Sequence, residues 1–466
     1  MAVSGPIWMG QSHIKGSTES MRMMLLTFAS LGLQFCWGTE MTYGTPYLLS
    51  LGMSKSKLSL VWVAGPLSGL VMQPVVGLLS DRCTNRWGRR RPFMMAGTFA
   101  VVVCLLILGW TEAIVKYFVG DEERIRSLTV VLAVVDIYIL DFMINISQSA
   151  CRALVTDALP AEKQQLGSAW CSRMAGFGQM LVYGLGAIDL QHIFGPLLGD
   201  SQFKQVCATA AIAMLIAQGT TCWAVSERIL TSPPSQTPTS NNSITSILKQ
   251  ISHTTLNLPD GIRAICHVQL WSWIGWFPFL FYGSTWVGEL YLLSAPTTRS
   301  KQAILTETGR HASQAFMLFS ILNLLGSIFL PSLLYDPSSS AGLPAKNPIH
   351  SKKPTLKQAW RWSNFSFAAL MALTPFISSF HLATILIALC AFPWSVAGLA
   401  PGTFLGVQVN RLASLPLDDE QGDAAGIYFG ILNIYTTIPQ FLGTGISWVV
   451  FSVVEGAGRE CRFLRE

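Results

Sequence analysis

Polar side chains recur at helical spacing inside one strongly apolar stretch of the chain. Counted from Asp141, the other members follow after four, seven, eight and eleven residues and therefore share one helical face. They are Asn145, Gln148, Ser149 and Arg152. Carboxylate, amide, hydroxyl and guanidinium groups on one face can hydrogen-bond a polar ligand. A carboxyl group among apolar residues can also bind and release a proton, and we predict this role for Asp141.

Further chemistry-bearing residues lie in two other apolar stretches. Glu40 lies deep in residues 23–50 and is a second candidate for proton coupling, while Glu289 lies toward the end of residues 266–293. Trp286 belongs to the aromatic-rich second stretch, and its ring could stack on a ligand or lie in an interfacial belt. Ionisable groups inside a membrane span usually face a partner or a pathway.

Each of these assignments has a structural alternative. Asp141 could make a hydrogen bond between helices, Glu40 a buried structural contact, and Glu289 could be a carboxylate at the surface. Arg152 could extend to the membrane boundary. Since eleven residues of straight helix span about 16 Å, Asp141 and Arg152 cannot pair directly unless the helix breaks.

The elements that carry these residues are apolar enough to use lipid as solvent. The chain has 466 residues, of which 51% are hydrophobic and 12% charged, with a mean hydropathy of +0.44. A soluble domain carries roughly 25% charged residues. Eleven windows are long enough to cross a bilayer as helices: residues 23–50, 58–80, 93–115, 128–151, 169–190, 204–225, 266–293, 311–335, 363–380, 382–408 and 426–454.

Charge distribution predicts the orientation of these spans. The gap after the second window reads GLLSDRCTNRWGRRRP, with five arginines between Gly77 and Pro92. Basic residues in short loops stay in the cytoplasm, so we place this loop and the N-terminus inside. The net charge of +6 then reports membrane topology, and we expect no nucleic-acid partner.

The windows divide the chain into two helical halves. We expect a cytoplasmic N-terminus (1–22), a first half with six spans (23–225), a polar cytoplasmic linker (226–265) and a second half (266–454). The remaining tail, 455–466, has six charges in twelve residues and cannot form a span. A twelfth span is therefore expected to be missing, with the C-terminus outside.

The arginine-rich gap resembles the loop between helices 2 and 3 of the major facilitator superfamily. The matching residues are Gly77, Asp81, Arg82, Gly88, Arg89 and Arg90. The resemblance implies a major facilitator fold and a conformational latch. In that latch, the Asp81 carboxylate would meet an arginine and the positive end of a neighbouring helix, and Gly77 would allow close helix approach. The alternative is that the cluster is only a topology signal.

Four stretches narrow the resemblance: residues 32–52, 140–160, 271–291 and 425–440. They resemble sucrose and α-glucoside proton symporters of the glycoside-pentoside-hexuronide group, fungal members above all. This resemblance implies a disaccharide substrate, for which Asn145, Gln148, Arg152, Glu289 and Trp286 are the candidate binding residues. Asp141 and Arg152 match an acid and a base that matter in plant members. Lys55 departs from the plant pattern, which has His there.

We therefore expect an all-α transmembrane transporter that takes up a disaccharide with a proton by alternating access. The alternatives are a non-transporting sugar sensor and a truncated, inactive product. The ten cysteines form no CxxC pair, and no nucleophile–base or metal-ligand set stands out, so we expect no enzyme activity, metal or cofactor. We expect a monomer in contact with membrane lipid, in the plasma membrane or the vacuolar membrane.

Overall fold

The computed structural model describes residues 7–81, 83–160, 163–232, 252–294, 301–334, 353–413 and 424–456. In these residues nearly all regular structure is helical. Most of the predicted linker, the predicted tail from residue 457 onward, and Arg82 lie outside the described residues.

The first half contains ten α-helices within the described residues. Their bounds are α1 Glu19–Thr27, α2 Ala29–Thr39, α3 Thr45–Ser50, α4 Lys55–Val61, α5 Ala64–Asp81, α6 Arg91–Phe118, α7 Glu122–Ala158, α8 Gln164–Ala187, α9 Leu190–Phe194 and α10 Gln202–Ala224. A π-helical segment, Glu40–Gly44, joins α2 to α3. Side-chain oxygens of Thr18, Ser54, Asp121 and Ser201 accept backbone N–H groups and thereby start α1, α4, α7 and α10.

The second half contributes six described long or medium helices. They are α11 Asp260–Ser294, α12 Lys301–Leu333, α13 Leu356–Leu373, α14 Phe380–Leu389, α15 Ala391–Ala413 and α16 Ala424–Gly456, with a 3₁₀ turn at Thr374–Phe376. Thr355 and Gln358 form a reciprocal capping box that starts α13. Prolines lie inside α11, α15 and α16, where neighbouring helices can compensate for the lost backbone hydrogen bond.

Helix packing builds each half and then joins the two. In the first half α7 packs on α5 and α6, and α2 packs on α8 and α10. In the second half α11 packs on α12 and α16, and α15 packs on α12 and α13. The halves meet where α8 lies against α12 and where α4 and α5 lie against α16. The predicted limits of the halves stay a prediction.

Four short strands tie the N-terminal arm to the segment that follows α10. β1 (Ile7–Met9) pairs antiparallel with β4 (Ile229–Ser232), and β2 (His13–Ile14) pairs antiparallel with β3 (Val225–Ser226). The Lys15 N–H also donates to the carbonyl of Ala224 at 2.9 Å. The arm is thus held at the end of α10, next to the arginine-rich loop.

Every one of the eleven predicted windows overlaps a helix of the described residues. By length and apolar composition, seven helical stretches among these residues could cross a membrane. They are Lys55–Gly77, Arg91–Phe118, Glu122–Ala158, Gln202–Ala224, Glu307–Leu330, Phe380–Val409 and Gly430–Val454. The predicted all-α transmembrane fold is confirmed, whereas the number of spans stays a prediction.

Close contact between α2 and α8 generates a stability prediction. A Cβ atom at Gly178 would lie 2.7 Å from the Leu31 carbonyl oxygen and 3.0 Å from the Leu31 Cα, so the backbone of α2 would have to move. We expect Gly178→Ala to cost roughly 1–3 kcal/mol through overpacking and to lower the thermal midpoint in detergent. Gly184→Ala is the matched control in the same helix, because its Cβ would meet only Met317 Sδ, at 3.6 Å. Equal midpoints for the two variants would contradict the prediction.

Candidate functional site

The π-helical segment and α7 bring two carboxyl groups together inside the first half. Glu40 is 2% exposed and Asp141 is fully buried, and their carboxyl groups lie close enough to interact directly. None of their four oxygens accepts a hydrogen bond from another described group. Since two carboxylates are both acceptors, a hydrogen bond between them requires a proton on one. The pair can therefore hold a proton.

The π-helical segment explains how Glu40 reaches this position. A π-bulge widens one turn of a helix and often occurs at a functional site. Gly44 at its end lets the ring of Trp62, the residue after α4, approach, since a Cβ there would lie 2.8 Å from Trp62 Cη2. The hydropathy and the helical repeat of apolar residues do not reveal a widened turn. The sequence therefore predicted that Glu40 lies deep in its span, but it did not predict the contact with Asp141.

The polar face of α7 lies against α5, as its helical spacing allows. Asn145 Nδ2 donates to Ser68 Oγ at 2.9 Å and to the Asp141 carbonyl at 3.0 Å. Ser149 Oγ donates to the Gln73 carbonyl at 3.4 Å. The structure therefore places three predicted residues, Asp141, Asn145 and Ser149, along one interface.

The two remaining members of the stripe are placed differently. Gln148 is half-buried, and the Arg152 side chain is exposed, near Cys171 of α8. α7 is an unbroken helix through both Asp141 and Arg152, and Arg152 forms no ion pair with a described acid. The structure thus does not bring Arg152 to Asp141, as the length of straight helix predicted.

Glu289 lies in an ion pair that links the two halves. Its Oε1 is 2.6 Å from Lys55 Nζ at the start of α4. Nearby, Tyr282 Oη donates to Ser59 Oγ at 2.7 Å. Trp286 is half-buried and, four residues after Tyr282, lies on the same face of α11.

A second ion pair joins the halves at the same end of the bundle, called the Lys55 end here. Arg310 Nη2 of α12 lies 2.9 Å from Asp189 Oδ2, which follows α8. Closer to the centre, Ser284 Oγ donates to the Met41 carbonyl at 2.9 Å. In this conformation the halves are held together at the Lys55 end.

The arginine-rich loop lies at the opposite end, called the Arg90 end here. Arg89 Nη2 and Arg90 Nε lie 2.7 and 2.8 Å from the two oxygens of Asp157 at the end of α7. Arg90 Nη1 also donates to Ser80 Oγ. The Asp81 side chain and all of Arg82 lie outside what the structure describes, so the predicted role of Asp81 in the latch stays a prediction.

Glu227, which lies between β3 and β4, caps the start of α6. Its carboxylate accepts the backbone N–H groups of Arg89, Arg90 and Arg91 at 2.9–3.0 Å. A negative charge stabilises the positive N-terminal end of a helix. Gly88 has a φ of +106°, and a Cβ there would lie 2.6 Å from Glu227 Oε1. Glycine is thus required at position 88 by both backbone conformation and space.

The predicted role of Gly77 in close helix approach stays a prediction. No atom lies within 4 Å of where its Cβ would be. In this conformation, therefore, Gly77 has no close helix contact within the described residues.

Sequence reasoning missed several residues of these clusters. Asp157 and Glu227 lie far along the chain from the arginines, and no spacing connects them to the loop. Asp136 is 3% exposed on α7, with the Cys104 thiol beside it and one carboxyl oxygen that has no hydrogen bond to a described residue. The sequence could have indicated Asp136, because an acidic residue inside an apolar window is a candidate functional group.

Comparison with known proteins supports the architecture. The sequence profile described as Major Facilitator Superfamily matches residues 23–444. The general alpha-glucoside permease of Schizosaccharomyces pombe is 30% identical, over 95% of this chain and 89% of that protein. The sucrose transport protein SUT1 of Oryza sativa subsp. japonica is 30% identical, over 91% of this chain and 81% of that protein.

Solved structures have the same fold at low sequence identity. The inward open conformation of the xylose transporter XylE from E. coli superposes with a TM-score of 0.53 at 14% identity, covering 92% of this chain and 89% of that chain. A bacterial homolog of the human lysosomal transporter Spinster gives a TM-score of 0.54 at 10% identity, covering 95% and 86%. With the profile match over most of its length, the chain belongs to the Major Facilitator Superfamily.

Proposed function

We propose that this chain takes up a disaccharide, sucrose or a maltose-like α-glucoside, together with a proton. The observation that carries the proposal is the buried Glu40–Asp141 pair, one helical turn from the Asn145 amide. The names of the similar proteins, an alpha-glucoside permease and sucrose transport proteins, support a transporter of sugars rather than an enzyme.

The proton acts through the charge of the buried pair. Two adjacent carboxylates without hydrogen-bond donors are costly to bury. A proton shared by Glu40 and Asp141 removes part of that cost and supplies one O–H donor. The sugar would then bind beside α7, with Asn145, Gln148 and Arg152 as hydrogen-bonding groups along the same helix.

Alternating access would use the contacts at the two ends of the bundle. The Lys55–Glu289 and Asp189–Arg310 ion pairs close the Lys55 end, and both must break before that end can open. Glu289 can meet a sugar only after Lys55 releases it, and Trp286 on the same face would then be uncovered. We place the Arg90 end in the cytoplasm of a plasma-membrane or vacuolar-membrane protein, with the N-terminus inside.

Uptake measurements test the function directly. We expect transport-deficient cells that express the chain to accumulate labelled sucrose or maltose, faster at acidic external pH, with an inward proton current. An empty-vector strain is the control. Sugar binding by the purified protein without uptake would favour the sensor, and absence of both would contradict the proposal.

Removal of one carboxyl group tests the proton site. Asp141→Asn keeps the size of the side chain and removes its titration, so uphill accumulation should vanish while sugar exchange survives. Glu40→Gln should behave in the same way. Glu112→Gln is the control, because that carboxylate is 57% exposed and paired with Lys116 on the outside of α6. An Asp141→Asn protein that still concentrates sugar with normal pH dependence would overturn the assignment.

Charge reversal tests the closure of the Lys55 end. Lys55→Glu places a second carboxylate beside Glu289, so closure should fail and uptake should fall at equal surface expression. The exchanged pair, Lys55→Glu with Glu289→Lys, should recover much of the rate, as contacting residues couple by roughly 0.5–3 kcal/mol. Lys116→Glu controls for reversal of an exposed pair. Normal uptake by Lys55→Glu alone would show that this pair does not limit closure.

A further inference from the structure

Two glycines of α5 lie opposite the polar face of α7. A Cβ at Gly65 would lie 3.9 Å from Asp141 Oδ2, and no other atom outside its own helix segment lies nearer. A Cβ at Gly69 would lie 3.5 Å from Asn145 Oδ1 and 3.9 Å from Gln73 Nε2. At both positions the atoms within 4 Å are therefore polar ends of side chains.

Helix packing does not account for these glycines. At packing glycines such as Gly97 and Gly178, a Cβ would lie 3.0 Å or less from the backbone of the next helix. Gly65 and Gly69 have no such backbone contact. A glycine inside a helix costs about 1 kcal/mol relative to alanine. Gly69 lies inside α5 and thus gives up stability, whereas Gly65 lies in the first turn of the helix. Together they leave room for a methyl-sized group beside a carboxyl group and an amide.

The Asp141 carboxyl group beside Gly65 has no hydrogen-bond donor among the described residues. Asp141 is fully buried, and neither of its carboxyl oxygens has a hydrogen bond to a described residue. The Asn145 amide is held by donation to Ser68 and to the Asp141 carbonyl, and its Oδ1 faces Gly69. Buried polar groups are normally hydrogen-bonded. The bundle supplies only the Glu40 carboxyl group beside Asp141, so a further donor to Asp141 would have to come from a ligand.

We propose that Gly65 and Gly69 form a notch that takes two neighbouring hydroxyl groups of the sugar ring. One hydroxyl donates to Asn145 Oδ1 beside Gly69, and the other hydrogen-bonds the Asp141 carboxyl group beside Gly65. Both glycines are specificity-determining residues, because any side chain there occupies the place of a hydroxyl. This inference rests on the proposed function.

Methyl groups placed in the notch test it without a clash. Gly69→Ala and Gly65→Ala each meet only ordinary contacts of 3.5 Å or more, so surface expression and thermal midpoint should be retained. We expect each to raise the KM for sucrose or maltose roughly tenfold, the effect of one lost hydrogen bond to a buried group, with little change in the maximal rate. Gly219→Ala on α10, where a Cβ would have no neighbour within 4 Å, is the control and should keep the normal KM.

Deoxy sugars identify the hydroxyl groups. Among monodeoxy sucroses, the one that lacks the hydroxyl beside Gly69 should bind Gly69→Ala and the unmodified protein with equal affinity.

An unchanged KM in both alanine variants, in a protein that does transport sugar, overturns the notch. The notch is also overturned if Gly69→Ala lowers the affinity for every deoxy sugar by the same factor. Failure of the unmodified protein to transport or bind sugar would instead contradict the proposed function. Should one variant fold poorly, sugar binding to the other purified variant decides.

Discussion

Two carboxyl groups buried side by side in the first half are costly unless a charge is removed or paired. Glu40 and Asp141 lie in the bundle without hydrogen-bond donors among the described residues, and taking such groups out of water is costly unless a charge is removed or paired. A bound proton or a ligand hydroxyl group can lower this cost, and both bind reversibly. In the proposed symport mechanism, the pair would couple what is bound to the free energy of the surrounding helices.

The contacts at the two ends of the bundle have different consequences. At the Arg90 end, Asp157 and Glu227 gather the arginine loop, α6, α7 and the segment after α10. These contacts join the first half to the start of the predicted linker and do not involve the second half. At the Lys55 end, the ion pairs Lys55–Glu289 and Asp189–Arg310 cross from one half to the other. Exposed or partly exposed ion pairs contribute little stability, so they can break and re-form during a transport cycle.

Glycines serve distinct purposes in neighbouring helices. Gly178 allows α8 to approach the backbone of α2, and Gly88 permits a positive φ beside the Glu227 carboxylate. Gly65 and Gly69 instead leave space over polar side chains. Membrane helices gain from small residues because close backbones pack well. At Gly65 and Gly69 the nearest atoms are the polar ends of side chains rather than a neighbouring backbone, and the proposed notch rests on this difference.

The sequence by itself determined the helices, their apolar windows and the polar face of α7, because these follow from composition and from a period that acts over a few residues. From helix length it also predicted that Asp141 and Arg152 do not pair directly unless the helix breaks. Tertiary structure alone decided which distant groups meet. The Glu40–Asp141 contact depends on a π-helical turn, and Glu227 reaches the arginine loop from more than one hundred positions away. Such contacts depend on how helices pack in three dimensions, and hydrophobic period carries no information about them.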